Sequence, residues 1–262
     1  MALTVATWNV NSILARLPTA LEVLKTIDAD IVCLQEIKCE DARFPRFEIE
    51  ALGYNVETHG QKTYNGVALL SKHRIEEIAP GLPGDETDTH SRYIEAVIAA
   101  PSGPVRIASL YAPNGNPIGT EKFTYKLGWH DRLNEHAEKL LTYEEPLMLC
   151  GDYNIIPRPD DADQPEGWKG DALFQPESIA KYRALLNLGM TDAFMQADGR
   201  ARQFTFWDYQ AGAWRRDHGI RIDFIALSPL ASDKLSGVRI HKEARAMDKP
   251  SDHVPMIATF EL

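Results

Sequence analysis

The chain has 262 residues, 44% hydrophobic, 25% charged and 9% aromatic, an ordinary globular composition with a formal net charge of −10. No run approaches the ~18 consecutive apolar residues of a membrane-spanning helix, and the opening MALTVATWN lacks the basic and long apolar regions of a secretory leader. Net acidity taken alone argues against a nucleic-acid partner, because phosphate binding needs a basic footprint. Arg200, Arg202, Arg215, Arg216 and Arg221 nevertheless crowd one stretch, which leaves a locally basic face open. Cys33, Cys39 and Cys150 lack paired metal-type spacing, so free thiols in a reducing cytoplasm are expected. The length fits one α/β domain over 1–262, with no low-complexity linker and no repeat of fixed period.

In chain order, LTVATWN (3–9) reads as a strand. The stretch 18–27 reads as a helix, with Leu17, Leu21 and Leu24 on one face, and IVCLQE (31–36) as a second strand. VALLSK (67–72), YIEAVIA (93–99) and VRIASLY (105–111) follow as strands, the last broken by APNGNP. Trp129, Leu133, Ala137 and Leu140 predict a helix over 129–143, and LMLC (147–150) is a strand ending in Gly151-Asp152-Tyr153-Asn154. An acid-rich loop (157–171) precedes a helix over 176–188, with Pro176 near its start and Gly189 past its end. Strands are expected at 204–207, 221–227, 238–244 and 254–262. Continuously apolar strands need cover on both faces, which a four-layer α-β-β-α sandwich of two packed sheets provides.

Polar residues recur where the apolar strands stop. Asn9 and Asn11 follow the first, Glu36 ends the second, and Tyr111 and Asn114 follow VRIASL. Asp152 and Asn154 follow LMLC, and Asp252 and His253 precede the last strand. Asp223 instead lies inside RIDFIAL, on the face of Ile225 and Leu227. A carboxylate there needs a partner, and His253 is the natural one. Each residue taken singly also has a structural reading: a turn former, a strand-end charge or a satisfied core histidine. Together they form a hard-oxygen set suited to Mg2+, with Mn2+ as a substitute, and to metal-assisted attack of water on a phosphate ester.

The motifs WNVNS (8–12), CLQEIKC (33–39), YAPN (111–114), GDYN (151–154), FTFWDY (204–209), RIDF (221–224) and PSDHVP (250–255) occur in the order of the exonuclease III family of apurinic/apyrimidinic endonucleases. The chain resembles that family from Thr4 to Phe260. The resemblance implies the four-layer sandwich and a hydrolase acting on double-stranded DNA with abasic sites or blocked 3′ ends. It assigns the metal to Glu36, helped by Asn9, Asn11 and Asp252, and extends the metal-side set to Asp152, Asn154 and His253. Asp152 activates water, Asn154 positions it, and His253, oriented by Asp223, contacts phosphate. Tyr111 acts as a hydrogen-bond donor or, if ionised, as a proton carrier, and Lys38 and Asn114 support the site. Phe206, Trp207 and Ile220 form an apolar pocket for a sugar without its base, with core packing as the alternative for Trp207. Arg92 contacts the DNA backbone, and Arg16, Tyr64 and Asn65 lie in phosphate-holding loops. Where relatives often have Gly-Leu-Arg, this chain has Ser12-Ile13-Leu14, so one phosphate contact is missing. A cytoplasmic monomer is expected. The same fold acting on a lipid or sugar phosphate, and a DNA-binding module without catalysis, are the competing readings.

Overall fold

Strands apolar on both faces must be buried on both, and this chain does so with two sheets and an outer layer of helices on each. The computed structural model describes residues 2–101 and 103–261. The order runs β1 (Ala2–Asn9), α1 (Leu17–Ile27), β2 (Ile31–Gln35), α2 (Arg46–Glu50), β3 (Asn55–His59), β4 (Val67–Ser71), β5 (Ile75–Pro80) and β6 (Tyr93–Ala100). It continues with β7 (Gly103–Tyr111), α3 (Glu121–Leu141), β8 (Leu147–Asp152), α4 (Pro176–Asn187), β9 (Thr191–Asp192), β10 (Asp223–Leu227), β11 (Leu235–Ile240) and β12 (Met256–Glu261), with shorter helical turns between.

The strands form two six-stranded mixed sheets, β11-β12-β1-β2-β4-β3 and β5-β6-β7-β8-β10-β9. Each contains one parallel pair, β1–β2 in the first and β7–β8 in the second, and a helix crosses between its strands. Leu3, Val5, Ile31 and Cys33 of one sheet meet Ile107, Met148, Cys150 and Ile225 of the other in the central core. Helix α1 covers Ala6, Trp8, Val32 and Leu34 on one outer face, and α3 and α4 cover Leu110, Leu149 and Phe224 on the other. The α-β-β-α sandwich expected from the continuously apolar strands is therefore present.

Where the elements differ from expectation, the cause is local. Helix α3 begins at Glu121 rather than at 129, because its buried face includes a lysine, Lys126, that an apolar count passes over. The unexpected strands β3, β5 and β9 are all sheet edges, and NVETH and IEEIAP are too polar to read as strands. Strand β11, also an edge, stops at Ile240, and 242–246 is a short 3-10 turn. FTFW is not a strand: Phe206 makes only isolated bridges, to Ile220 and to His253.

Gly151 sits in β8 opposite Leu110 of β7, and a Cβ there would lie 1.9 Å from the Leu110 carbonyl oxygen. Glycine is required for close approach, not for a turn. Gly151→Ala should cost about 2–3 kcal/mol of stability through this overpacking. Urea denaturation checks it, and a loss below about 0.5 kcal/mol, the range of neutral surface changes, would contradict the close-approach argument.

Candidate active site

Side chains alternate along a strand, so residues two apart share a face. On β1 the central core takes Leu3 and Val5, and the same face ends in Thr7 and Asn9. On β2 it takes Ile31 and Cys33 and ends in Gln35, one residue before Glu36. The inner face of β7 passes from Val105 and Ile107 to Ser109 and Tyr111, that of β8 from Met148 and Cys150 to Asp152, and that of β10 from Leu227 and Ile225 to Asp223. Five strands thus turn polar at one end of the gap between the sheets. Gln35 Nε2 donates to Ser109 Oγ at 3.0 Å, and Ser109 Oγ donates to the Leu34 carbonyl at 2.9 Å, so a polar floor spans the two sheets below the site.

Above that floor Asn9 Nδ2 donates to Glu36 Oε1 at 2.8 Å and to Asp152 Oδ2 at 3.0 Å. Asn9 Oδ1 accepts from the Asn11 backbone N–H at 3.0 Å. The Asn9 amide therefore orients two carboxylates with its NH2 group. Asn11 acts similarly: Nδ2 donates to Asp252 Oδ1 at 2.9 Å, and Oδ1 accepts from Lys38 Nζ at 2.6 Å. Lys38 also pairs with Glu36 Oε2 at 2.7 Å. Through these contacts Asn9 holds Glu36 and Asp152, and Asn11 holds Asp252 and Lys38. Asp152 Oδ1 accepts from the Asn154 backbone N–H at 2.9 Å. Asn154 Nδ2 donates to the Ala112 carbonyl at 2.9 Å, and its Oδ1 accepts from Asn114 Nδ2 at 3.3 Å.

Asp223 lies directly across the β8–β10 ladder from Asp152, an arrangement that repels when both are charged. His253 spans them, its Nδ1 at 2.9 Å from Asp223 Oδ2 and its Nε2 at 3.8 Å from Asp152 Oδ2. Burial opposes charging this imidazole, but Asp223, Asp152 and Asp252 outweigh it and raise its pKa to about 10. Burial is also the main influence on Asp152. With the Asp223 and Glu36 carboxylates it overcomes the attraction of His253 and raises the Asp152 pKa to about 7. At Glu36 burial is outweighed by Lys38 and Asn9, and the pKa is lowered. Removal from water, then Glu36 and Asp152, push the Tyr111 hydroxyl well above its ordinary range, which favours its protonated form.

The cluster lines one side of a recess of about 290 Å³. Phe206 and Ile220 line it as expected, the Phe206 ring 4.9 Å from the His253 ring. Trp207 does not: it is fully buried in the outer core against Trp214, its Nε1 donating to Asp217 Oδ1 at 3.0 Å. Alternation explains this, since adjacent residues in an extended segment face opposite ways. The recess is completed by Ile222, Trp168 and Leu173, which sequence reasoning missed. Ile222 was within reach, because it stands two residues after Ile220.

The peripheral residues divide. Arg92 stacks its guanidinium 4.8 Å from the Tyr111 ring centre and donates to the Tyr111 carbonyl, which puts it at the rim. Tyr64 is exposed, whereas Asn65 is buried and donates to Gln61 at 2.8 Å. Arg16 is bound within the protein, to the carbonyls of Asn11 and Pro250 and to the Tyr209 hydroxyl. Of Ser12-Ile13-Leu14, Ile13 is core and Leu14 is exposed. The arginine-rich stretch is largely neutralised: Arg200 pairs with Asp198, Arg202 with Asp163, and buried Arg221 with Asp161 and Asp192. Arg215 and Arg216 of the same stretch are exposed and form no ion pair among the described residues, so a smaller basic patch remains there.

Residues 6–253 match the family described as Endonuclease/Exonuclease/phosphatase. The chain is 35% identical to exodeoxyribonuclease III of Haemophilus influenzae, over 97% of this chain and 98% of that protein. The 3′ phosphatase NExo of Neisseria, solved with a product DNA hairpin, superposes with a TM-score of 0.95 at 35% identity, covering 99% of this chain and 100% of that one. An AP endonuclease from Archaeoglobus fulgidus superposes with a TM-score of 0.94 at 34% identity, again covering 99% and 100%.

Because the His253 pKa is raised, its pairing stabilises the fold fully below about pH 6.5, the ordinary histidine pKa. That stabilisation is lost as pH rises through about 10. Asp223→Asn removes the closest carboxylate and should lower the His253 pKa in metal-free protein, as an NMR titration of the imidazole reads. A pKa still near 10 in that variant would show that Asp223 does not hold the charge.

Proposed function

The chain belongs to the Endonuclease/Exonuclease/phosphatase family, and on that footing we propose that it is a divalent-metal-dependent DNA-repair phosphodiesterase of exonuclease III type. It incises the backbone 5′ to abasic sites and processes blocked 3′ ends. The observation that carries the reading is the meeting of Glu36, Asp152 and His253, whose potential ligand atoms lie within 4.8 Å of one another in a cleft with one apolar wall. Carboxylates buried together this closely repel, and the raised Asp152 pKa records that repulsion along with burial. A hard cation held by Glu36 and Asp152, with Asp252 at the cleft edge, relieves it. The oxygen donors fit Mg2+, with Mn2+ as a substitute. His253, kept cationic by its aspartates, suits a phosphate oxygen better than a metal. The protein acts as a monomer, with one catalytic domain over 1–262.

When bound, the ion lowers the charge on the scissile phosphate and the pKa of the attacking water. Asp152 takes the proton from that water; burial and the Asp223 carboxylate beside it raise its proton affinity, and the cation offsets part of that rise. The Asn9 amide and the Asn154 backbone N–H fix its two oxygens, so its orientation is set before substrate arrives. Asn154 keeps one amide proton and one oxygen lone pair for the water or the phosphate. The His253 imidazolium and the Tyr111 hydroxyl, both lining the cleft, donate to the phosphate oxygens as charge develops on them. Phe206, Ile220 and Ile222 offer apolar contact to a sugar that has lost its base, while an intact nucleotide brings a base the recess must accommodate.

A duplex carrying one abasic analogue should be incised in Mg2+ and left intact after chelation. Asp152→Asn should lower kcat by about 10²- to 10⁴-fold, the usual contribution of a general base. Turnover of a small phosphoester with no DNA cleavage would replace DNA with another phosphate ester as substrate. Phe206→Ala should narrow the preference for abasic over undamaged duplex by about tenfold, the scale of lost apolar contacts. Competition assays measure that ratio, and an unchanged value would remove Phe206 from recognition.

A further inference from the structure

None of these roles uses Lys126, although it is fully buried on α3 just behind the cleft. Its Nζ donates to three backbone carbonyls, those of Asn114 at 3.0 Å, Asn154 at 2.5 Å and Ala172 at 3.1 Å. Burial lowers the Lys126 pKa to about 7 against the pull of Asp171 and Asp152, but three carbonyls converging on Nζ match the three donors of an ammonium, which leaves none to offer a substrate. Each acceptor belongs to a different segment: the β7–α3 loop, the turn after β8, and the 3-10 turn Ala172–Phe174. Those segments and their flanks supply Asn114, Asn154, Asp171 and Leu173 to the cleft wall.

The seat is shaped for a lysine stem. Gly115, at φ +87°, lies flat on it, and a Cβ there would come within 2.5 Å of Lys126 Cδ. One turn further along α3, buried His130 bonds to the backbone of Tyr153, and burial pushes its pKa down to about 3, so it is neutral. The three segments also bind one another. Asn116 Nδ2 donates to Asp171 Oδ1 at 2.9 Å and Asn116 Oδ1 accepts from the Ala172 N–H at 3.0 Å, while Asn114 bonds to Asn154. Without the ammonium, three carbonyl dipoles face one another without a donor, and the segments separate.

We propose that Lys126 is a positioning residue for the phosphodiesterase reaction: it draws three backbone segments onto one point and so fixes Asn154 against Asp152 and sets the loop wall of the recess. The inference rests on the functional reading above and adds to it a residue that touches neither substrate nor metal.

The test compares the full-length wild type with Lys126→Met, Lys126→Gln and Lys126→Arg on the abasic duplex. Leu133→Ala, in the core on the same helix, is the control for destabilisation alone. Lys126→Met should lower kcat by about 10- to 100-fold with little change in KM, the scale expected when a group near the chemistry is misplaced. Lys126→Arg should recover part of that loss, and Leu133→Ala should keep kcat at temperatures where it is folded. Adding Lys126→Met to Asn154→Ala should cost little beyond Asn154→Ala alone, because both act through the same group. A folded Lys126→Met or Lys126→Gln with wild-type kcat overturns the proposal, as does full additivity with Asn154→Ala. Failure of all three Lys126 variants to fold also overturns it, since the lysine is then structural only. A wild-type protein that incises nothing refutes the phosphodiesterase reading instead.

Discussion

The head of this sandwich depends on keeping Glu36, Asp152 and Asp223 close together out of water. Two devices hold them. The Asn9 NH2 group bridges Glu36 and Asp152, and the His253 imidazole bridges Asp152 and Asp223. Neither cancels the charge. Burial is the first cause of the raised Asp152 pKa, with the neighbouring carboxylates adding to it, and the same surplus of negative charge raises the pKa of His253 against burial. Such an excess costs stability wherever it is uncompensated, and it creates affinity for a hard cation and for the proton of a water bound beside it.

The topology explains why this charge gathers at one end. Each sheet holds one parallel pair with its crossover helix, β1–α1–β2 and β7–α3–β8. Parallel strands point their carboxyl ends the same way, and ligand sites in α/β sheets lie beyond those ends. Asn9, Glu36, Tyr111 and Asp152 come from these four strand ends. Facing the two sheets turns two modest strand-end sites into one, and β10 and the segment before β12 add Asp223 and His253 across the gap. Helix α3 then closes the back of the site, so the crossover that builds the second sheet also anchors the loops around it.

The sequence made the strand-end residues legible for a physical reason. Interior strands of a double sandwich are apolar on both faces, so a carboxylate or amide at their ends stands out, and a lone aspartate inside one calls for a partner. The Asp223–His253 pair followed from that reasoning and is present at 2.9 Å. The recess was less legible, because its walls come from the irregular segments that hold Trp168 and Leu173. Trp207 was drawn into it by adjacency to Phe206, although extended backbone sends neighbours to opposite sides. The arginine-rich stretch looked basic in one dimension and is mostly paired in three. Lys126 was invisible for the opposite reason: a charge on a helix reads as solvent-facing, and only the converging carbonyls reveal why it is inside.

The central claim is that the buried carboxylates form a cation site shared between the two sheets. Mn2+ binding, followed by electron paramagnetic resonance on the full chain without DNA, tests it most directly. Wild type should take up Mn2+ with an affinity that falls at least about tenfold in Glu36→Gln, since removing a charged ligand of a hard cation weakens its site on that scale or more. Equal Mn2+ affinity in wild type and Glu36→Gln would mean that the ion, if it binds, is held elsewhere, and that these acids converge for some other purpose.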